Sequence, residues 1–224
     1  MKTIRNSVLG LFVILFATPL LRAQELGKYR NFSLGMNVSQ VLKHTDLKMA
    51  DVKSIYLRPA LVQELTWWPP NLPGISFQAD SVQQILFSFC DGELYKISIR
   101  YDRGNTEGLS DGDMVHSVSA KYGAPAKLPT AIYTPTNEQY DLRQKTVASW
   151  EDTQDSLILV RSSYSEGFGL ILFSKQLTAK ADEAIAKAAK LEEQERPDKE
   201  AERQQKEAAD LEVARQKNRK IFHP

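Results

Sequence analysis

The strongest constraint on the fold of this chain is a change of composition at Lys175. All three tryptophans and all eight tyrosines precede it, whereas 23 of the last 50 residues are charged and 10 are alanine. A packed core needs large apolar side chains, while alanine, glutamate, lysine, glutamine and arginine favour solvated helix. We therefore predict a globular body over residues 24–174 and a charged helical tail over 175–224.

Residues 1–23 have the layout of a secretory signal peptide. Lys2 and Arg5 form a basic head, an apolar run covers 8–17, and Ala23 offers a cleavage position. The apolar run is shorter than the roughly 20 residues that a bilayer span needs, although an uncleaved signal anchor is the alternative. We predict export to the periplasm or out of the cell, with no transmembrane segment after cleavage.

The net charge limits the possible partners, and the cysteine content limits what can stabilise the fold. Without the three basic residues of the signal peptide, 26 basic and 28 acidic residues leave a net charge of −2. That balance does not predict a nucleic acid as the partner. Cys90 is the only cysteine, so the body must rest on a hydrophobic core rather than on internal disulfides.

The sequence of the body predicts two similar repeats, and each consists of a capped helix followed by short strands. Asn37 with Gln40, and Ser110 with Asp113, have the spacing of a capping box, and Gly123 is a helix stop signal. Runs rich in β-branched and aromatic residues follow, at about 61–68, 82–90 and 93–102 in the first unit and at 130–134, 145–151, 156–164 and 168–174 in the second.

This order of elements predicts an α+β fold with two repeats, over 24–106 and 107–174. Each repeat is a helix plus an antiparallel meander, with the helices on one side of the sheet. The long charged helix of 175–224 follows them.

One hairpin allows two registers. A two-residue turn at 91–92 pairs Phe87 with Lys96, which sets apolar residues beside polar ones. A three-residue loop at 90–92 pairs Phe87 with Tyr95 and places a glycine at the left-handed position of a bulged loop. We favour the three-residue loop, which puts Cys90 on the turn.

The most unusual local string is Trp67-Trp68 followed by two prolines. Adjacent side chains on a strand point to opposite faces, so only one tryptophan can enter the core. The functional interpretation is an aromatic platform for a protein or glycan partner. The alternative is a strand end tucked under a loop.

Sequence motifs indicate no metal, cofactor or catalytic residue. An acidic loop has closely spaced oxygen ligands of the kind that bind calcium, but their spacing does not match the EF-hand pattern. Part of this loop is also predicted to cap a helix. The three histidines are far apart, and none has a second ligand at helical spacing. The loop residues are Asp102, Asn105, Glu107, Asp111 and Asp113, and the histidines are His44, His116 and His223.

The tail begins with an apolar stripe that includes Leu177, Ala181, Ile185 and Ala188, fit for docking on the body or on a partner. Leu177 and Ile185 are therefore candidate binding residues. Pro197 is predicted to kink or interrupt the helix. Beyond it the apolar repeat is not kept, so we predict a helix with few contacts rather than a long coiled coil.

The body resembles two families of exported scaffolds, the SmpA/OmlA (BamE-like) modules of outer-membrane assembly and the tandem-repeat β-lactamase inhibitory proteins. The likeness rests on Leu34-Gly-Met36 opening a helix that carries Val41-Leu42, and on Lys121-Tyr-Gly-Ala-Pro125 closing the second helix. It spans about residues 32–174. The resemblance implies a non-enzymatic scaffold that binds another protein.

The leading functional expectation is therefore an exported protein-interaction module that binds another envelope or extracellular protein and uses its tail as a tether. The competing expectation is an envelope hydrolase or glycan-binding enzyme, with a site assembled from scattered polar residues. A spacer role resting on the tail alone is a third possibility.

Overall fold

The computed structural model describes residues 25–70, 81–126, 144–162 and 167–221. The signal-peptide prediction for 1–23 and the strand prediction for 130–134 lie outside these residues. The strands are β1 Lys28–Tyr29, β2 Phe32–Ser33, β3 Lys53–Tyr56, β4 Val62–Trp67, β5 Val82–Cys90, β6 Glu93–Tyr101, β7 Gln144–Glu151, β8 Asp155–Ser162 and β9 Phe168–Ser174. The helices are α1 Val38–Leu42, α2 Arg103–Thr106, α3 Asp111–Tyr122 and α4 Lys175–Ile221.

Seven of the described strands form one antiparallel sheet in the order β3-β4-β5-β6-β9-β8-β7. The first meander contributes β3 to β6 and the second contributes β7 to β9. The two predicted units therefore share a single sheet, and the α+β prediction is confirmed.

The two meanders meet where β6 pairs with β9. Leu172 lies opposite Ile97, and Leu170 lies opposite Ile99. At Gly169 an added Cβ would lie 2.8 Å from the carbonyl oxygen of Ile99. Glycine is therefore required there, because any side chain would force the central pair of strands apart.

One face of the sheet, called here the inner face, carries the main hydrophobic core. Alternate residues of the strands, among them Leu65, Phe87 and Leu172, are buried there with Val41 of α1 and Val118 of α3. Both helices begin with the predicted capping boxes, at Asn37 and Ser110. The helices of the two repeats thus pack on the same side, as predicted.

The opposite face, called here the outer face, is covered in part by α4. Cys90 of β5 and Tyr95 of β6 are buried there against Ala181 and Ala184 of α4. Lys180 pairs with Asp91 in the turn after β5 at 3.0 Å. The first half of the tail is therefore part of the folded body.

The preferred hairpin register is wrong. Cys90 pairs with Glu93 across a two-residue Asp91-Gly92 turn, and both turn residues have positive φ, at 50° and 82°. A bulge at Tyr95 then shifts the pairing by one residue, so that Phe87 lies opposite Ile97. The bulge lets a tight turn and an apolar inner face coexist, and it leaves Cys90 buried at a strand end rather than on a turn.

Pro197 was predicted to kink or interrupt the helix, and the interruption is wrong, because α4 is continuous from Lys175 to Ile221. Two ion pairs hold the turns around the proline, Arg196 with Glu193 and Lys199 with Glu195. From residue 196 to 221 every side chain is exposed, which agrees with the prediction of a helix with few contacts.

Within the described ranges, no helix combines the length and the apolar character that crossing a membrane requires.

Candidate interaction surface

Trp67 is a packing residue of the inner face. Its ring meets Phe32 edge-on with centroids 5.7 Å apart, and Phe32 in turn packs on Phe87 at 4.6 Å. Its indole Nε1 donates a hydrogen bond to the carboxylate of Asp46 at 2.9 Å. Trp67 therefore ties the segment after α1 to β4, with its polar edge satisfied.

Trp68 has a different environment, because it follows the last residue of β4 and 56% of it is exposed. The predicted division of the tryptophan pair, one into the core and the other elsewhere, is what the structure shows. Only Trp68 can offer its ring to a partner without unfolding the region around Phe32.

Further exposed apolar side chains lie in the edge strand β3 and in the segments directly before and after it. Met49, Ile55 and Leu57 are 55%, 45% and 76% exposed. In the β3–β4 register Lys53 pairs with Glu64 and Tyr56 with Val62. Met49 and Trp68 therefore lie toward one end of this strand pair, and Leu57 lies at the other end, beside the turn from β3 to β4. We call the set of Met49, Ile55, Leu57 and Trp68 the edge surface.

The backbone of this edge is poorly suited to pairing with a further strand. β3 has four residues, its register on β4 shifts between Ser54 and Tyr56, and Lys53 is exposed. Short length, a bulge and a lysine are devices that keep sheet edges from adding strands. A partner would therefore meet this edge through side-chain contacts.

Beside the edge surface, the turn from β3 to β4 contacts the long helix. Arg58 follows the exposed Leu57, and its Nη2 donates to both carboxylate oxygens of Glu195, at 2.7 and 2.8 Å. The pKa of Glu195 is lowered by its hydrogen bond with Lys199 and by the charge and hydrogen bond of Arg58. The helix thus leaves the body next to Leu57.

The two tail residues predicted to bind a partner are placed against the body. Leu177 packs, half-buried, on the cluster around Cys90 and Tyr95. Ile185 is buried, together with Ala181 and Ala188. Of the two docking options that the stripe left open, the structure shows docking on the body.

The acidic loop is used for helix capping and ion pairing. Asp102 is the N-cap of α2, and the carboxylate of Asp113 accepts a hydrogen bond from the backbone N–H of Ser110 in the capping box of α3. Asp111 pairs with Arg161 at 3.0 Å and with Lys145 at 3.4 Å. Over the part of the chain that the structure describes, no three His, Cys, Asp or Glu residues are grouped as metal ligands would be.

The single thiol lies under α4. Burial, and then the negative charge of Asp91, raise the pKa of Cys90. A raised pKa reduces the thiolate fraction at neutral pH, and the thiolate is the reactive species. Cys90 is therefore shielded from thiol reagents both by α4 and by its own protonation.

Sequence reasoning found Trp68 but missed Met49, Ile55 and Leu57. Ile55 and Leu57 alternate with Ser54 and Tyr56, which is a strand signal of period two. The signal is only a few residues long and ends at Pro59. Exposure of such a segment depends on its being at a sheet edge, which no local pattern specifies.

This architecture defines a class, an α+β domain built on one antiparallel sheet with a helix across its outer face. The family model described as TP0088 domain matches residues 27–176. The chain belongs to the TP0088 domain family. The match spans β1 to β9 and ends as α4 begins. No curated protein and no solved structure matches the chain.

Proposed function

We propose that this protein is an exported, non-enzymatic interaction module that binds another envelope or extracellular protein through the edge surface. The observation that carries the proposal is the exposure of four large apolar side chains along one sheet edge, Met49, Ile55, Leu57 and Trp68. Large apolar side chains that are exposed along a single sheet edge are candidates for contact with a protein partner. Aromatic residues such as Trp68 are frequent energetic centres of such sites.

Two sequence features support the remainder of the proposal. The basic head and apolar run of residues 1–23 support export. The resemblance of residues 32–174 to the SmpA/OmlA and β-lactamase inhibitory scaffolds supports a binding role rather than catalysis.

The chemistry of the edge surface indicates which kind of contact a partner would make with it. The bulge in β3 disfavours strand addition, so affinity has to come from burying Leu57, Ile55 and Trp68 in pockets of the partner. The nearby exposed Lys53 is suited to an acidic rim around those pockets.

Site-specific crosslinking tests the surface. A photoreactive residue at Leu57 or at Trp68 should crosslink the same protein in the cell envelope, whereas one at Ser117, exposed on α3, should not. Trp68→Ser should abolish the adduct formed from position 57, and Leu57→Ser should abolish the adduct formed from position 68, each at an unchanged melting temperature. Equal crosslinking from Ser117, or adducts unaffected by these substitutions, contradicts the proposed surface.

Export has a separate test. Residues 1–30 fused to alkaline phosphatase, which is active only outside the cytoplasm, should give enzyme activity in intact cells. The matched variant Val13→Arg with Leu15→Arg breaks the apolar run and should abolish it. Equal activity of the two fusions contradicts a signal peptide.

A further inference from the structure

Within the described residues, the second half of α4 is a fully exposed helix. Residues 196–221 are helical, and every one of their side chains is exposed. At a rise of about 1.5 Å per residue, this segment is about 39 Å long. A solvated polar helix of this length has to be stabilised from within.

The described ion pairs provide that stabilisation. Oppositely charged side chains three or four positions apart pair along one helix, and such pairs favour helix. They link Arg203 with Glu200 and Glu207, and Arg215 with Glu212, while Gln204 and Gln216 donate to Glu200 and Glu212. Apolar Leu211 and Val213 are only two positions apart and lie on different sides, so they form no stripe for a partner helix.

Glu195, where α4 leaves the body, is in contact both with the body and with the next turn of the helix. Arg58 of the β3–β4 turn contacts both carboxylate oxygens of Glu195. Glu195 also pairs with Lys199 at 3.0 Å, and this pair spans Pro197. Proline is the position where a helix bends most readily. The contacts of Glu195 thus bridge the weakest point of the helix and fix it to the sheet.

We propose that residues 196–221 form a rigid spacer, whose direction relative to the sheet is set by the contact between Arg58 and Glu195. The spacer holds the distal end of α4 at a fixed distance from the body. A flexible tether of the same length would sample many distances. The inference does not depend on the edge surface, because no partner takes part in it.

Distances between spin labels test the proposal in the full chain with Cys90→Ala as background. Labels at Glu202→Cys and Asn218→Cys report on the spacer itself, and we expect one narrow distance near 24 Å from the helical rise. Labels at Ala120→Cys on α3 and Asn218→Cys report on its direction, and we expect a second narrow distribution.

Arg58→Ala should broaden the distribution between body and spacer and leave that within the spacer unchanged. The matched control is Arg215→Ala, which breaks an ion pair inside the spacer without touching the body, and it should leave the body–spacer distance narrow. A broad distance within the spacer overturns its rigidity. A body–spacer distance indifferent to Arg58→Ala overturns the positioning role of Arg58. Dipolar coupling between singly labelled chains would show that the helices pair, which overturns the spacer.

Discussion

The two faces of the sheet are built from different chemistry. The inner face joins large aliphatic and aromatic side chains, such as Phe87 and Trp150, into one core with α1 and α3. The outer face combines the small alanines of α4 with a buried lysine and buried hydroxyls, including Ala181, Lys96 and Ser88. It also has a small apolar cluster of Ile158, Val160 and Phe173. Buried apolar area stabilises a fold roughly in proportion to its size, so the larger inner core contributes most of the stability of the domain.

The outer face also contains polar groups whose hydrogen-bonding capacity is unused. The hydroxyls of Ser88 and Thr178 are buried without a partner among the described residues. A buried hydroxyl contributes less apolar area than an aliphatic side chain of similar size, so we expect the docked half of α4 to be held less firmly than the inner core.

The largest expected effect is on the inner face. Leu172→Ala removes a fully buried side chain from the interior strand β9 and should lower the free energy of unfolding by about 2–5 kcal/mol. Ile171→Ala changes the next residue of the same strand, which faces outward and is half-buried. Urea denaturation should show the smaller loss for Ile171→Ala. Equal losses would contradict the distinction between the faces.

The next effect separates the two tryptophans. Trp67→Ala removes the contact with Phe32 and the hydrogen bond to Asp46, so it should cost about 2 kcal/mol. Trp68→Ala removes a mostly exposed ring and should stay within about 0.5 kcal/mol of the native protein. Thermal denaturation compares them, and a destabilised Trp68→Ala would mean that Trp68 packs on the body.

A smaller effect should follow from disturbing the outer face. Ala181→Asp places a charge in the interface between α4 and Cys90, whereas Ala189→Asp places it on an exposed position of the same helix. We expect Ala181→Asp to speed the reaction of Cys90 with a maleimide severalfold, with Ala189→Asp reacting like the native protein. If both variants react equally, α4 does not shield the thiol.

The smallest effect should come from removing the spacer. Deletion of 198–224 should change the free energy of unfolding by less than about 0.5 kcal/mol, because the described part of this segment is wholly exposed. Deletion from Lys175 onward should lower it clearly, since it uncovers Cys90 and Tyr95. A large loss from the shorter deletion would show that the spacer contacts the body.

Local signals in the sequence were sufficient for much of the fold. The capping boxes at Asn37 and Ser110 lie where predicted, because a cap depends on residues three positions apart. Strands β4 to β9 fall within about two residues of the predicted runs. The tail was recognised from composition, and its apolar stripe does bury Ala181 and Ile185.

Long-range features were beyond the same reasoning. The bulge at Tyr95 reconciles the Asp91-Gly92 turn with the inner face, and a bulge has no signature in two arms considered alone. Joining the two meanders into one sheet depends on pairing between β6 and β9, which are distant in the chain. The edge surface was missed for the same reason, since β3 is exposed only because of its place in the final sheet.

The interior position of β9 in the sheet has a consequence for how the chain folds. β9 is the last strand in sequence, yet it lies between β6 and β8. Until β9 has been synthesised up to Ser174 and can pair with β6, the edge of β6 in the first meander stays open. This open edge carries the apolar residues Ile97 and Ile99. Closing this long loop is slow compared with forming either hairpin. We therefore expect the final folding step to be the joining of two preformed meanders, with aggregation through β6 as the main competing reaction.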